Sequence, residues 1–116
     1  MAAKMKNTIL IVDDEPDVVN LIEKFLKLKD FGTITSTNAK KAMKTIEESY
    51  DKIDLILLDI MMPGRGGYDV LQEVKKNEKF KDIPVVLINE KPISLNELLD
   101  RIKETLRKEE EEEEEN

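Results

Sequence analysis

Two short runs of consecutive apolar residues, each handed over to carboxylates, constrain this chain more than any other feature. Thr8-Ile-Leu-Ile-Val12 ends at Asp13-Asp14-Glu15-Pro16, and Leu55-Ile-Leu-Leu58 ends at Asp59. A strand that is apolar on both faces must be covered on both, as a central strand of a helix-flanked parallel sheet is. The segments around the runs supply the helices. Pro16 opens the first, since its missing N–H costs nothing in a first turn. Val18, Val19, Leu21, Ile22, Phe25, Leu26 and Leu28 then give it a broad apolar stripe, and Gly32 is expected to break it. Thr33–Thr37 is a short, more polar strand suited to a sheet edge. Asn38 caps a second helix carrying Ala39, Ala42, Met43, Ile46 and Tyr50. The turn from Met61 to Gly67 leads into a third helix marked by Tyr68, Val70, Leu71 and Val74. Pro84–Ile88 is a fourth strand. Ser94, with Glu97 three residues on, forms a capping box for a last helix lined by Leu95, Leu98, Leu99, Ile102, Thr105 and Leu106.

Strict alternation of strand and helix, with crossovers too long for hairpins, predicts an α/β domain with a parallel sheet and helices on both faces. The 116 residues suit one such domain. Residues 1–6 read as a leader, 7–108 as the domain and 109–116 as an acidic tail. The tail explains the net charge of −7, because Glu109 to Glu115 are consecutive glutamates and the remainder is neutral. Such a run repels itself and opposes the helix dipole at a C-terminus, so a frayed or disordered end is expected, as a solubilising tail or a docking element.

Several chemistries are excluded by composition. Without cysteine there are no disulfides, thiolate metal sites or thiol nucleophiles; without histidine there is no Ser-His-Asp triad and no histidine phosphodonor in this chain. No basic stripe with interleaved aromatics points to nucleic acid. The longest apolar runs fall far short of a membrane span, so no membrane association and a cytoplasmic location are expected.

In open parallel sheets, ligands sit at the carboxyl ends of the strands, next to the point where strand order reverses. If the first and third strands are neighbours, Asp13, Asp14 and Asp59 converge on one crevice. Like charges in contact resist joint ionisation, so such a cluster calls for a cation, and an oxygen-only donor set with room for water suits Mg²⁺. The competing reading, that acids after a strand merely cap helices, fits Asp14 or Glu15 before Pro16. It does not fit Asp59, which precedes no nearby helix start. A carboxylate beside Mg²⁺ can act as a nucleophile toward phosphorus.

Ile11-Val-Asp-Asp-Glu-Pro16 and Leu57-Leu-Asp-Ile-Met-Met-Pro-Gly64, with Asp14 and Asp59 45 residues apart, strongly resemble the receiver domains of two-component response regulators. The resemblance implies a flavodoxin-like doubly wound sheet, here of four strands in the order 2-1-3-4. It implies that Asp59 is the phosphoacceptor, that Asp14 and Asp59 ligate Mg²⁺ directly, that Asp13 acts through water, and that the Met61 carbonyl completes the protein ligands. The implied partners are a histidine kinase, a phosphotransfer protein or a small-molecule phosphodonor.

The chain departs from that family in its last third. Receivers have five strands and five helices; four and four are legible here. Asn89 stands 30 residues after Asp59, where the family carries a Thr or Ser, and Lys91-Pro92 follows only 32 residues after it, where the family's Lys-Pro pair comes a strand and a helix later. Asn89 reads as a plain turn residue or as an amide donor to phosphate, and Lys91 as a solvated loop lysine or as the family's phosphate contact. Ile88 occupies the position of the family's switch aromatic, so a rotamer switch is not expected. The methionines Met61 and Met62 read as packing. Loss of the missing elements should leave the fourth strand at an edge, apolar on both faces, which pairing into a homodimer, another partner, or a swing of the last helix would relieve.

Two functional classes fit these residues. One is a stand-alone phosphoacceptor that signals by protein contact; the other is a phosphorylation-independent pseudo-receiver acting as an interaction module. A haloacid-dehalogenase-type phosphatase is disfavoured, because Met61 stands where that pattern needs a second aspartate.

Overall fold

The computed structural model of the protein describes residues 6–115, with side chains through Glu112. The elements are β1 (Thr8–Val12), α1 (Pro16–Leu28), β2 (Gly32–Ser36), α2 (Ala39–Ser49), a 3₁₀ turn (Tyr50–Lys52), β3 (Leu55–Asp59), α3 (Gly66–Lys76), β4 (Val85–Ile88) and α4 (Leu95–Glu115). All pairings are parallel, and the strand order is β2-β1-β3-β4. The expected α/β sheet of four strands, with helices on both faces, is therefore the one observed.

The two apolar runs lie at its centre. Ile9 to Val12 and Leu55 to Leu58 are entirely shielded from solvent. Each such side chain contributes about 1.5–3 kcal/mol by burial, so these strands anchor both layers. Period-2 alternation splits them. Ile9, Ile11, Leu55, Leu57, Val86 and Ile88 pack against Ile22 and Leu26 of α1 and Leu98, Leu99 and Ile102 of α4. Leu10, Val12, Ile56 and Leu58 pack against Ala42 and Ile46 of α2 and Val70 and Val74 of α3.

Helix starts follow the sequence closely. Asn38 accepts a hydrogen bond from the Lys41 N–H at 2.8 Å, and Ser94 Oγ accepts one from the Glu97 N–H at 3.3 Å. Helix ends do not. The turn after α1 is made by Asp30 in a left-handed conformation (φ 70°), while Gly32 already belongs to β2 and bonds to the Asn7 carbonyl at 2.9 Å. Within α1 only part of the apolar stripe is buried: Leu21 is 54% and Leu28 83% exposed, because β1, β2 and α4 cover a narrower face than the sequence offers. β2 is displaced one residue toward the N-terminus from its expected span.

The acidic tail is also corrected. α4 continues through Glu115 instead of fraying after Lys108. Arg107 bridges to Glu104, Nη2 to Oε1 at 2.7 Å, and to Glu111 one turn further on, so one i,i+4 pair ties the glutamate run to the helix before it. Most of the expected leader, residues 1–5, and Asn116 lie outside the described residues.

One glycine is required by contact. α3 starts so close to the end of β3 that a Cβ on Gly67 would lie 2.4 Å from the Asp59 carbonyl oxygen and 2.7 Å from the Ile60 Cα. Both obstacles are backbone. Gly67→Ala is therefore expected to destabilise the protein by more than about 2 kcal/mol, read as a lowered urea midpoint at unchanged slope.

Candidate functional site

β1 and β3 pair with Val12 opposite Leu58. The next residues, Asp13 and Asp59, consequently stand side by side at the carboxyl end of the sheet, and both are fully buried. Asp14 is half-buried beside them. Asp13, Asp14 and Asp59 each offer one carboxylate oxygen within 4.8 Å of the others. Local hydrogen bonds fix the carboxylates: the Glu15 N–H donates to Asp13 Oδ1 at 2.9 Å, and the Met61 N–H donates to Asp59 Oδ1 at 2.7 Å.

A cation enters from the opposite end of the chain. The Lys91 ammonium donates to Asp13 Oδ1 at 3.3 Å, to Glu15 Oε2 at 3.1 Å and to Asp59 Oδ2 at 3.2 Å. The shortened connection after Asp59 thus still delivers Lys91 to the carboxylates. It does so because β4 ends level with β3, Asp59 opposite Ile88, so that the loop after β4 starts at the crevice. Partial burial works against the Lys91 ammonium, but Glu15, Asp59 and Asp13 outweigh it and hold its pKa above the ordinary lysine value of 10.5. Burial is also the largest influence on Asp13 and pushes its pKa upward. The Glu15 N–H and Lys91 pull downward, the Asp59 charge adds to the rise, and the net is above the ordinary 3.8.

The remaining expected positions divide. Met61 lies at the rim of the cluster through its N–H, but its side chain is 53% exposed, unlike Met62, which is buried as expected. Asn89 is exposed beyond the end of β4 and faces a groove shared with Ile93, Ser94 and Glu97. Among the described residues it takes no part in the hydrogen bonds of Asp13 and Asp59. Ile88 is buried, its carbonyl accepting from the Ile60 N–H at 3.1 Å. Glu15, which the sequence offers as a helix cap, instead pairs with Lys91. No local pattern announces that contact, since its partner lies 76 residues away.

The donor set suits a hard divalent cation. It is all oxygen and anionic, and the buried Asp13 Oδ2 has no hydrogen-bond partner among the described residues, the Lys91 ammonium lying 3.3 Å from it as a close charge. With this geometry in place, comparison with known proteins decides the family: the response regulator receiver domain matches residues 9–93. The chain belongs to that family. It is 34% identical over 99 residues to the probable transcriptional regulator ycf27 of Cyanidium caldarium, covering 85% of this chain and 36% of that protein. It is 32% identical over 94 residues to the regulatory protein VanR of Enterococcus faecium, covering 81% of this chain and 38% of VanR. The receiver thus spans little more than a third of these relatives. Among solved structures, the N-terminal domain of a response regulator receiver protein from Methanoculleus marisnigri aligns with a TM-score of 0.67 at 32% identity. That alignment covers 75% of this chain and 69% of the other. Receivers are signalling modules of two-component systems. Among the described residues, no helix is long and apolar enough to cross a membrane.

The raised Asp13 pKa carries a stability consequence. A carboxyl whose folded pKa exceeds its unfolded value stabilises the fold below the unfolded value and loses that contribution as pH rises through the folded one. At neutral pH without divalent ions, charged Asp13 is therefore a net liability. Asp13→Asn is expected to raise the melting temperature of the metal-free receiver and to abolish any further rise on adding Mg²⁺, both read by thermal unfolding with and without the ion.

Proposed function

We propose that this receiver accepts a phosphoryl group on Asp59 in a Mg²⁺-dependent, cytoplasmic phosphorelay and passes the signal on by protein contact. The observation that carries this reading is the meeting of three carboxylates and one ammonium from well-separated points of the chain, with Lys91 Nζ 3.2 Å from Asp59 Oδ2. Asp13, Asp14, Asp59 and the Met61 carbonyl would hold Mg²⁺, which supplies charge neutralisation at the phosphoryl oxygens.

The chain's own residues account for the rest. In the transfer, an Asp59 carboxylate oxygen bonds to phosphorus while the P–N bond to a donor imidazole breaks. The imidazole leaves with the electron pair and takes up a proton, and Asp59 becomes an acyl phosphate. The Met61 N–H fixes the rotamer of Asp59. Lys91 exchanges a carboxylate partner for a phosphoryl oxygen, so the charge that balances the acidic cluster at rest also balances the product. The donor is a histidine kinase, a phosphotransfer protein or a small acyl phosphate.

The response to phosphorylation differs from the family's usual route. Asn89 makes no hydrogen bond to the carboxylates among the described residues, and Ile88, in the place of the switch aromatic, is buried in the core. Any output therefore runs through the α3 start and the Lys91 loop, the segments in contact with Asp59.

Incubation with acetyl phosphate and Mg²⁺ is expected to give one phosphoryl adduct by intact mass, absent without metal and absent in Asp59→Asn. Lys91→Met should keep Mg²⁺-dependent stabilisation but form the adduct at least about tenfold more slowly. A folded, Mg²⁺-binding protein that forms no adduct with either acetyl phosphate or a phosphorylated histidine donor would overturn this reading in favour of a phosphorylation-independent interaction module.

A further inference from the structure

The two edges of the sheet are protected very differently. β2 carries Thr33 and Thr35 and is flanked by Lys41 and Lys44, which share a groove with Thr35 and Thr37. Such polar, cationic edges resist pairing. β4 is Val85-Val-Leu-Ile88, with no polar residue. Its backbone alternates: the Pro84 and Ile88 carbonyls accept from Ile56 and Ile60 of the β3 side, at 2.9 and 3.1 Å. The N–H and C=O groups of Val85 and Leu87 therefore point away from β3, toward the open edge. The side chains of Val86 and Ile88 are sealed beneath α4, whereas Val85 and Leu87 reach only the flank of the cluster under α2 and α3 and remain half-buried.

We propose that this edge is an interface for a second copy of the same chain, β4 pairing antiparallel with β4 across a two-fold axis to make one continuous sheet. Placing Val85 of one copy opposite Leu87 of the other satisfies the outward N–H and C=O groups of both strands and buries both half-exposed side chains. The axis runs perpendicular to the sheet, so the two α4 helices meet on one face, antiparallel to each other.

The charges beside the edge fit that arrangement. Asp100, Arg101 and Glu104 of α4 share an open groove of about 340 Å³ with Val85 and Val86. Neither Asp100 nor Arg101 has an ion-pair partner among the described residues. An antiparallel approach sets Arg101 of each copy against Asp100 of the other, while Glu104 stays bridged to Arg107 of its own helix, a self-complementary pattern that a different partner would have to reproduce. It also separates the acidic ends. α4 runs antiparallel to β4, with Ser94 and Leu98 near Ile88 and Glu109 near Pro84, so the two glutamate runs leave the dimer in opposite directions.

Sedimentation velocity on the full chain across a hundredfold concentration range, with amide hydrogen exchange, tests the interface. A reversible dimer is expected, with Val85 and Leu87 amides gaining protection as concentration rises while Val86 and Ile88 stay protected throughout. Val85→Pro removes an outward donor without touching the β3 ladder and should abolish association. Arg101→Glu leaves the strand intact and should weaken association at least tenfold, and adding Asp100→Arg to it should restore the dimer. A monomer at every concentration would overturn the proposal. So would a dimer indifferent to both Arg101→Glu and the Val85 and Leu87 protection pattern.

Discussion

The arrangement of the molecule turns on the repulsion between Asp13 and Asp59. Adjacent parallel strands β1 and β3 end in the same register, so two buried carboxylates are forced together, and the single backbone N–H that each accepts leaves most of their charge unbalanced. Such a pair is tolerable only with positive charge nearby. At rest Lys91 supplies it, reaching Asp13 across 78 residues of chain and Asp59 across 32. The loop from β4 to α4 is thereby tied to the end of β1, and the ordering of the crevice depends on its charge balance. Under the function proposed above, a divalent cation or a phosphoryl group would act on the same balance and so link the stability of the resting protein to its chemistry.

The rest of the fold holds that crevice at a fixed geometry. Fully buried β1 and β3 set the positions of Asp13 and Asp59 through backbone pairing alone. Gly67 lets α3 approach the backbone of Asp59 and Ile60 closer than any side chain would allow. α4, packed on Val86 and Ile88 and beside α1, takes the place in the core that keeps the shortened last third attached to the sheet. The shortening has its consequence elsewhere: β4 becomes an edge, with Val85 and Leu87 only half-buried.

Much of the site was legible because its chemistry is local in sequence. Asp13, Asp14 and Asp59 each stand at the end of an apolar run, and the end of a parallel strand is where such a sheet gathers its functional groups. Asn38 and Ser94 were equally readable, since a cap acts on a backbone N–H three residues on. Lys91 was readable as a candidate only, since a Lys-Pro pair in a loop carries no information about which residues it faces. Glu15 as its partner depends on how the chain returns after β4. The exposure of Leu21 and Leu28 has a similar origin: periodicity defines an apolar stripe, but the width that becomes buried depends on the neighbouring elements.

By itself, the sequence determined the alternation of strands and helices, the two central strands and the acidic ends they present, because burial on both faces and helix capping are enforced by residues close together in the chain. The glutamate run shows the limit of local rules. Like-charge repulsion argues for fraying, yet α4 carries on through it, supported by Arg107 and by a helix already anchored on the core. Only the tertiary structure decided that Lys91 closes the carboxylate cluster, that Gly67 is a contact point and that β4 is left as an open apolar edge. Each of these depends on distances between residues far apart in sequence, and those distances are set by strand register and helix packing, not by any neighbouring residue.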